Sequence, residues 1–338
     1  MRVDVILEAS NSASRVAELA RLAERYGFGG VWVSNMHDAR DPFINFVEAA
    51  RTTTRINIGP VAVSPYELHP MKMAASLLTL NDLSGGRGQI GVAAGSGGAP
   101  SAMGVPATRR LRAVRECVEI LKKAATGKPL QYKGEIYKVL YYHPSWAADA
   151  PPPMVWVCAN GPQMVRSAAK YADGIYTGDH LPHHSARVCT VVKEVMAAEG
   201  RPADSMRFNN FWAWHVKPTR AEAHAEARKW LAIRATPYRE YYHHDILEPD
   251  EMEIVFNNTK SIIQAFNKQT DVIENIPAGI MERLVDRTTS ASAIGDLDRE
   301  IERLLEFRKA GLTDISLRIY ANPEASIKLI GERVIPVV

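Results

Sequence analysis

Residues 55–96 read RINIGPVAVSPYELHPMKMAASLLTLNDLSGGRGQIGVAAGS, and this stretch decides the fold. Residues 55–63 are rich in Ile and Val, which predicts a buried parallel strand. Residues 71–83 carry apolar side chains at helical spacing, and the glycines that follow Ser84 end that helix. Residues 89–94 predict the next strand. The stretch is therefore a βαβ unit, and its Gly-, Ser- and Pro-rich loops lie where such units bind ligands.

A dinucleotide-binding pattern inside this stretch is misleading. Residues 86–91, GRGQIG, match G-x-G-x-x-G. That pattern binds a pyrophosphate only when a strand precedes it and a helix follows it. Here the predicted helix precedes it and the strand follows, so the sequence argues against a Rossmann fold.

The same alternation of strands and helices continues on both sides. Two segments interrupt it, because residues 127–150 predict a β-hairpin excursion and residues 236–287 a helical insertion over the barrel mouth. Eight strands that alternate with helices predict a (β/α)8 TIM barrel, here a single α/β domain over residues 1–338; a nine-stranded doubly wound sheet is the alternative. The remaining predicted strands cover residues 3–8, 30–34, 154–160, 173–177, 206–216 and 313–320, and the remaining helices 12–27, 41–53, 108–126, 161–172, 184–199, 219–235 and 296–310.

Composition excludes several classes of protein. The formal net charge is +3 over 338 residues, and no stripe of basic and aromatic residues is present, so we expect no nucleic-acid partner. No apolar run approaches the ~18 residues of a membrane span, so we expect no membrane partner. The N-terminus lacks a signal-peptide profile, and the three cysteines are far apart, which indicates reduced thiols and a cytoplasmic location.

Two quoted motifs carry a family resemblance. GPVAVSPYELHP at 59–70 and TLNDLSGGRGQIGVAAGS at 79–96 resemble the bacterial luciferase-like superfamily of flavin and deazaflavin oxidoreductases. Within it the chain is most similar to the methylenetetrahydromethanopterin reductase branch, which uses coenzyme F420. The resemblance implies a luciferase-like barrel, F420 as cofactor with FMN as the alternative, a small-molecule substrate and a homodimer.

The resemblance also assigns a catalytic residue. Glu8 ends the first predicted strand and matches a glutamate of the reductase branch, so it is the candidate proton donor; the alternative is a structural acceptor for a nearby loop. Related enzymes carry a non-prolyl cis peptide behind the middle ring of the cofactor, which would be Val61-Ala62 here.

Further cofactor contacts follow from the loops. In an ungapped match Asn35 replaces the family's aspartate and Met36 its histidine, which argues against the sugar-phosphate dehydrogenase branch. The segment at 159–162 resembles the family's phosphate site at a helix N-terminus. The expected cofactor-binding set is Asn35, Val61, Ala62, Val63, Ser64, Gly95, Ser96, Ala159, Asn160, Gly161, Pro162 and Thr177.

The histidine pairs at 183–184 and 243–244 raise the question of a metal site. Neighbouring residues point to opposite faces of a strand and diverge on a helix, and no cysteine or carboxylate lies at a recognised spacing. We therefore expect no bound metal.

Three functional hypotheses remain. The first is hydride transfer between F420 and an electrophilic substrate, with Glu8 as the acid. The second is a monooxygenase that uses reduced FMN from a partner flavin reductase. The third is a protein that binds or stores the cofactor without catalysis.

Overall fold

The computed structural model describes residues 1–95, 99–235 and 245–338. Eight parallel strands close into a barrel, which confirms the predicted (β/α)8 architecture. The strands are β1 Arg2–Leu7, β2 Gly30–Ser34, β3 Asn57–Val63, β4 Gln89–Val92, β5 Leu130–Lys133, β6 Lys138–Tyr142, β7 Met154–Cys158, β8 Gly174–Gly178, β9 Arg207–Trp214 and β10 Asp314–Ile319. The eight barrel strands follow the order β1, β2, β3, β4, β7, β8, β9, β10, and β10 pairs with β1. Strands β5 and β6 form a separate two-stranded sheet.

Helices cover the outer face of this barrel. Within the described residues no helix is both long and apolar enough to cross a bilayer. The helices are α1 Ala13–Arg25, α2 Val47–Thr52, α3 Pro70–Leu83, α4 Ala99–Ala102, α5 Arg110–Ala124, α6 Pro162–Ala168, α7 Pro182–Ala198, α8 Arg220–Lys229, α9 Ala232–Ala235, α10 Pro249–Asn257, α11 Thr259–Lys268, α12 Ala278–Thr288, α13 Leu297–Lys309 and α14 Pro323–Leu329.

Local chemistry explains where two of the helices begin. The hydroxyl of Ser12 accepts a hydrogen bond from the backbone N–H of Arg15, which caps α1. The helix predicted at 41–53 is wrong in extent. The carboxylate of Asp41 accepts the N–H groups of Phe43 and Ile44, which forms a turn, and α2 begins only at Val47 after a short 3-10 segment.

Alternate residues of the strands fill the barrel interior. An ionic cluster closes the end where the strands begin: the carboxylate of Asp314 binds Arg2 at 2.6 Å and Arg207 at 2.7 Å. Above it, Trp32, Trp156 and Tyr176 are all buried and pack edge to face, with ring centroids 5.4–6.2 Å apart. These three rings form an aromatic floor beneath the carboxyl ends of the strands.

Two segments interrupt the alternation. Strands β5 and β6 pair antiparallel within residues 127–150. Helices α10 to α12 pack with α8 around a second apolar cluster that includes Leu231, Val255 and Leu284. The part of the expected insertion at 236–244 lies outside the described residues, and the assignment of a single domain to the whole chain stays a prediction.

Candidate active site

The expected site residues follow the ends of neighbouring strands. Glu8 follows β1 and Asn35 follows β2, while Ser64 follows β3 and Gly95 lies beyond β4. All strands of the barrel are parallel, so these carboxyl ends meet at one mouth of the barrel. We call this opening the barrel mouth, and it lies above the aromatic floor.

An ion pair occupies the barrel mouth. Nε of Arg318 donates to Oε1 of Glu8 at 2.9 Å, and Nη2 of Arg318 forms an ion-pair contact with the same oxygen at 2.8 Å. Nη1 of Arg318 donates to the hydroxyl of Ser34 at 3.0 Å. The pair therefore fixes the direction of the Glu8 side chain. The expected role of Glu8 as a proton donor is consistent with this position and stays a prediction.

Aromatic rings enclose the guanidinium of Arg318. Its central carbon lies 5.7 Å from the ring centre of Phe211, 5.9 Å from that of Trp230 and 5.1 Å from that of Tyr320. The side chain of Arg318 is only 8% exposed, so these contacts act with little screening by water. Sequence reasoning missed Arg318; the available signal was the single cation in the last strand.

A backbone shelf forms one wall of the mouth. The peptide bond between Val61 and Ala62 is cis, as the family resemblance predicts. The backbone N–H of Asn35 donates to Val61 O at 2.8 Å, and its side-chain amide donates to Ala62 O at 3.3 Å. Asn35 thus binds the backbone carbonyls of both residues that the cis bond joins. Its expected role beside the cofactor is consistent with this position and stays a prediction.

A carboxyl group that sequence reasoning missed supports the shelf from behind. Oε1 of Glu67 accepts the side-chain amide of Asn35 at 2.7 Å and also the backbone N–H of Ser64. Burial raises the pKa of Glu67 above its usual range, and the two donors partly oppose that rise. Glu67 therefore connects the loops that follow β2 and β3.

The loop after β4 lies against the shelf. Gly95 has a φ of +72°, which favours glycine, and an added Cβ would lie 2.8 Å from Cγ of Pro100 and 3.0 Å from Oγ of Ser64. Gly95 thus lies close to Ser64, and their expected common role in binding the cofactor stays a prediction. Ser96 lies outside the described residues.

The segment expected to bind phosphate follows β7. The amide of Asn160 accepts the N–H of Gly178 at 2.8 Å and donates to its carbonyl at 3.3 Å, which joins the loops after β7 and β8. A Cβ added at Gly161 would meet nothing within 4 Å, so open space lies beside the start of α6 at Pro162. Helix α6 ends at Ala168, short of the predicted residue 172.

Thr177 and Ala159 form part of the wall. The hydroxyl of Thr177 donates to Oδ1 of Asn210 at 2.8 Å, and the residue is 2% exposed. Ala159 is 6% exposed. In these positions both residues support the loops, and a direct contact with a cofactor stays a prediction.

The histidines at 183–184 do not diverge. Nε2 of His183 and Nε2 of His184 lie 2.9 and 2.8 Å from the same oxygen, Oδ2 of Asp245, and the ring centres are 4.1 Å apart. The geometric argument from helical spacing was wrong for this pair, because both residues lie in the first turn of α7 and the long imidazoles turn towards one carboxylate. The pair at 243–244 lies outside the described residues.

A cavity of about 450 Å³ lies on the outside of the barrel, between α1 and α14. Leu22, Tyr26 and Lys328 line it. It is separate from the strand ends, and none of the residues expected to bind the cofactor contributes to it. The barrel mouth is therefore the stronger candidate, because the polar groups that could do chemistry converge there.

Known proteins resemble this chain along most of its length. The family model described as luciferase-like monooxygenase matches residues 1–314. The 5,10-methylenetetrahydromethanopterin reductase of Archaeoglobus fulgidus is 27% identical over 94% of this chain and 93% of its own length. An F420-dependent glucose-6-phosphate dehydrogenase of Kineococcus radiotolerans is 25% identical over 69% of this chain and 73% of its own. The solved structure of the coenzyme F420-dependent tetrahydromethanopterin reductase of Methanopyrus kandleri has a TM-score of 0.83 at 21% identity and covers 99% of this chain and 98% of its own.

The family match and these relatives make the chain an oxidoreductase, and its barrel mouth carries an ion pair and a cis-peptide shelf. The chain belongs to the luciferase-like monooxygenase family. This confirms the resemblance that the two sequence motifs carry.

Proposed function

We propose that this enzyme is an F420-dependent oxidoreductase that transfers a hydride between the deazaflavin and an electrophilic small molecule. The observation that carries the proposal is a continuous chain of contacts across the mouth. It runs from Glu8 through Arg318 to Ser34, and from the neighbouring Asn35 to Ala62. A proton-exchanging group and a backbone shelf are thus held in one rigid unit.

The residues of the mouth suit a flat tricyclic ring. The shelf and the loop beside it are built from small uncharged residues, Ala62, Ser64 and Gly95, so backbone atoms can approach a ligand closely. The contact between Gly95 and Ser64 keeps these loops together, and the open space beside Gly161 leaves room for a phosphate-bearing chain. Phosphate at the start of α6 would meet the exposed N–H groups of a helix end.

The chemistry that F420 supplies when bound is hydride transfer. The chain contributes orientation, a dry site and a proton. Arg318 holds Oε1 of Glu8, so Oε2 is the atom that gives a proton to the substrate or takes one from it. The rings of Phe211, Trp230 and Tyr320 exclude water from the guanidinium and keep this ion pair strong.

For the substrate we propose a tetrahydropterin-type carrier of one-carbon units. The support is the full-length similarity to the Archaeoglobus fulgidus reductase, whose name states methylenetetrahydromethanopterin. The replacement of the family's aspartate and histidine by Asn35 and Met36 makes a sugar phosphate a poorer candidate. We also propose a homodimer in the cytoplasm, on the family resemblance alone.

A single-turnover experiment tests the role of Glu8. Protein with reduced F420 is mixed with methylenetetrahydromethanopterin, and the return of the oxidised deazaflavin absorbance is followed. Glu8→Gln removes the ionisable carboxyl group but keeps the shape, so we expect the rate to fall roughly 10²–10⁴-fold while cofactor affinity changes little. Glu194→Gln, an exposed change on α7, is the matched control and should leave the rate unchanged. An unchanged rate in Glu8→Gln would refute the assignment.

The description of the matching family supports a second candidate, an FMN-dependent monooxygenase supplied by a partner flavin reductase. The two candidates differ in their use of oxygen. Substrate oxygenation with reduced FMN, together with no oxidation of reduced F420 by any pterin carrier, would favour the monooxygenase.

A further inference from the structure

We propose that His183, His184 and Asp245 form a binding site for a divalent transition-metal ion of the Zn²⁺ type, which fastens the segment before α10 to the start of α7. The proposal concerns a site separate from Glu8 and from the shelf. It does not depend on the proposed function, and its test uses no activity measurement.

Three donor atoms converge at this place. Nε2 of His183, Nε2 of His184 and one carboxylate oxygen of Asp245 all lie within 4.8 Å of one another. Both imidazole nitrogens lie 2.8–2.9 Å from Oδ2 of Asp245. Around tetrahedral Zn²⁺, donors at ~2.0–2.2 Å from the ion lie roughly 3.3–3.5 Å from each other. Each imidazole nitrogen would therefore need to move away from Oδ2 of Asp245 by only about half an ångström to admit the ion.

The donor set selects the class of ion. Two imidazole nitrogens and one carboxylate oxygen suit Zn²⁺, Co²⁺, Ni²⁺ and Cu²⁺ better than Ca²⁺ or Mg²⁺, which prefer all-oxygen sites. Three protein donors also leave at least one position for water. The exposed Arg187 is a nearby cation that opposes binding, and solvent screens it.

The surroundings give the site a structural role. His184 is 10% exposed on its side chain, so one ligand is fixed by the packing of α7, whereas Asp245 is 38% exposed and can be reached from solvent. Helix α7 follows β8 and therefore begins at the same end of the barrel as the mouth. Asp245 precedes α10, the first helix of the segment that packs on α8. A bound ion would join these two parts at the edge of the mouth.

Two imidazoles that share one carboxylate without a metal ion are the competing explanation, and metal titration separates it from ours. Tag-free protein, first stripped with a chelator, is titrated with Co²⁺ by visible absorption and with Zn²⁺ by calorimetry. We expect one equivalent of either ion, with the ligand-field bands of Co²⁺ in a nitrogen and oxygen site.

The variants locate the ion. Asp245→Asn and His183→Ala each remove one ligand, and each should weaken binding by at least about tenfold, the lower end of what loss of a supporting residue costs. His143→Ala removes an exposed imidazole elsewhere and should leave the affinity unchanged. Circular dichroism of the metal-free variants confirms that they fold. Absence of a specific equivalent in the wild type, or binding that Asp245→Asn and His183→Ala leave intact, would overturn the proposal.

Discussion

The ion pair at the barrel mouth supports one prediction in particular. Replacing Arg318 by Met removes a hydrogen bond of 2.9 Å and an ion-pair contact of 2.8 Å to Oε1 of Glu8, and a hydrogen bond to Ser34. Removal of one partner from a buried ion pair costs ~3–5 kcal/mol. The side chain of Glu8 is 20% exposed, so water recovers part of this cost. We expect Arg318→Met to lower the free energy of unfolding by about 2–4 kcal/mol.

A double-mutant cycle isolates the pair. Arg318→Met leaves the carboxylate of Glu8 without a partner, and Glu8→Gln removes that unpaired charge. The double variant should therefore lose less free energy of unfolding than the two single variants lose together, with a coupling energy of about 1–3 kcal/mol. The assay is urea unfolding followed by tryptophan fluorescence, with equal slopes required of all variants. Arg299→Met, an exposed change whose nearest carboxylate oxygen is 3.9 Å away, is the control and should cost less than ~0.5 kcal/mol. Additive single effects would show that Glu8 and Arg318 do not act as a unit.

Two further changes test other parts of the structure. Gly95→Ala places a Cβ 2.8 Å from Pro100 at a φ of +72°, so we expect F420 to bind at least tenfold more weakly. Gly104→Ala is the control, because Gly104 has a φ of +67° but an added Cβ would meet no atom within 4 Å. This control should lower the free energy of unfolding in urea by only the ~1–2 kcal/mol of backbone strain and leave F420 binding normal. Although burial alone raises the pKa of Glu226, its partners, among them Lys217 at 2.8 Å, lower it overall. The ionised Glu226 side chain therefore stabilises the fold above its ordinary pKa of 4.5, and this contribution is lost as the pH falls below that value. Glu226→Gln should lower the free energy of unfolding by about 1–3 kcal/mol at pH 7 and by much less at pH 3. An equal loss at both pH values would contradict this expectation.

The alternation of strands and helices could be predicted from the sequence because each βαβ unit buries its strand on both faces. Residues 57–63 and 89–92 are almost entirely buried strands, as their continuous apolar runs predict. Helix ends were less predictable. α2 begins late because the carboxylate of Asp41 binds nearby backbone N–H groups, and a pattern of apolar residues does not record that competition.

Part of the candidate site could also be predicted from the sequence, but for a different reason. The family resemblance located Glu8 and the peptide between Val61 and Ala62, since motif spacing survives sequence divergence. It did not locate Arg318, which pairs with Glu8 across 310 residues of chain. The approach of His183 to Asp245 was missed in the same way, because such contacts arise only when distant elements pack.

The central claim is that the barrel mouth beside Ala62 and Gly95 binds a deazaflavin in preference to FMN. The most direct measurement is a fluorescence titration of F420 with the protein, repeated with FMN as competitor. We expect saturable binding of F420 that a hundredfold excess of FMN does not displace. Displacement of F420 by equimolar FMN, or no binding of F420 at all, would contradict it.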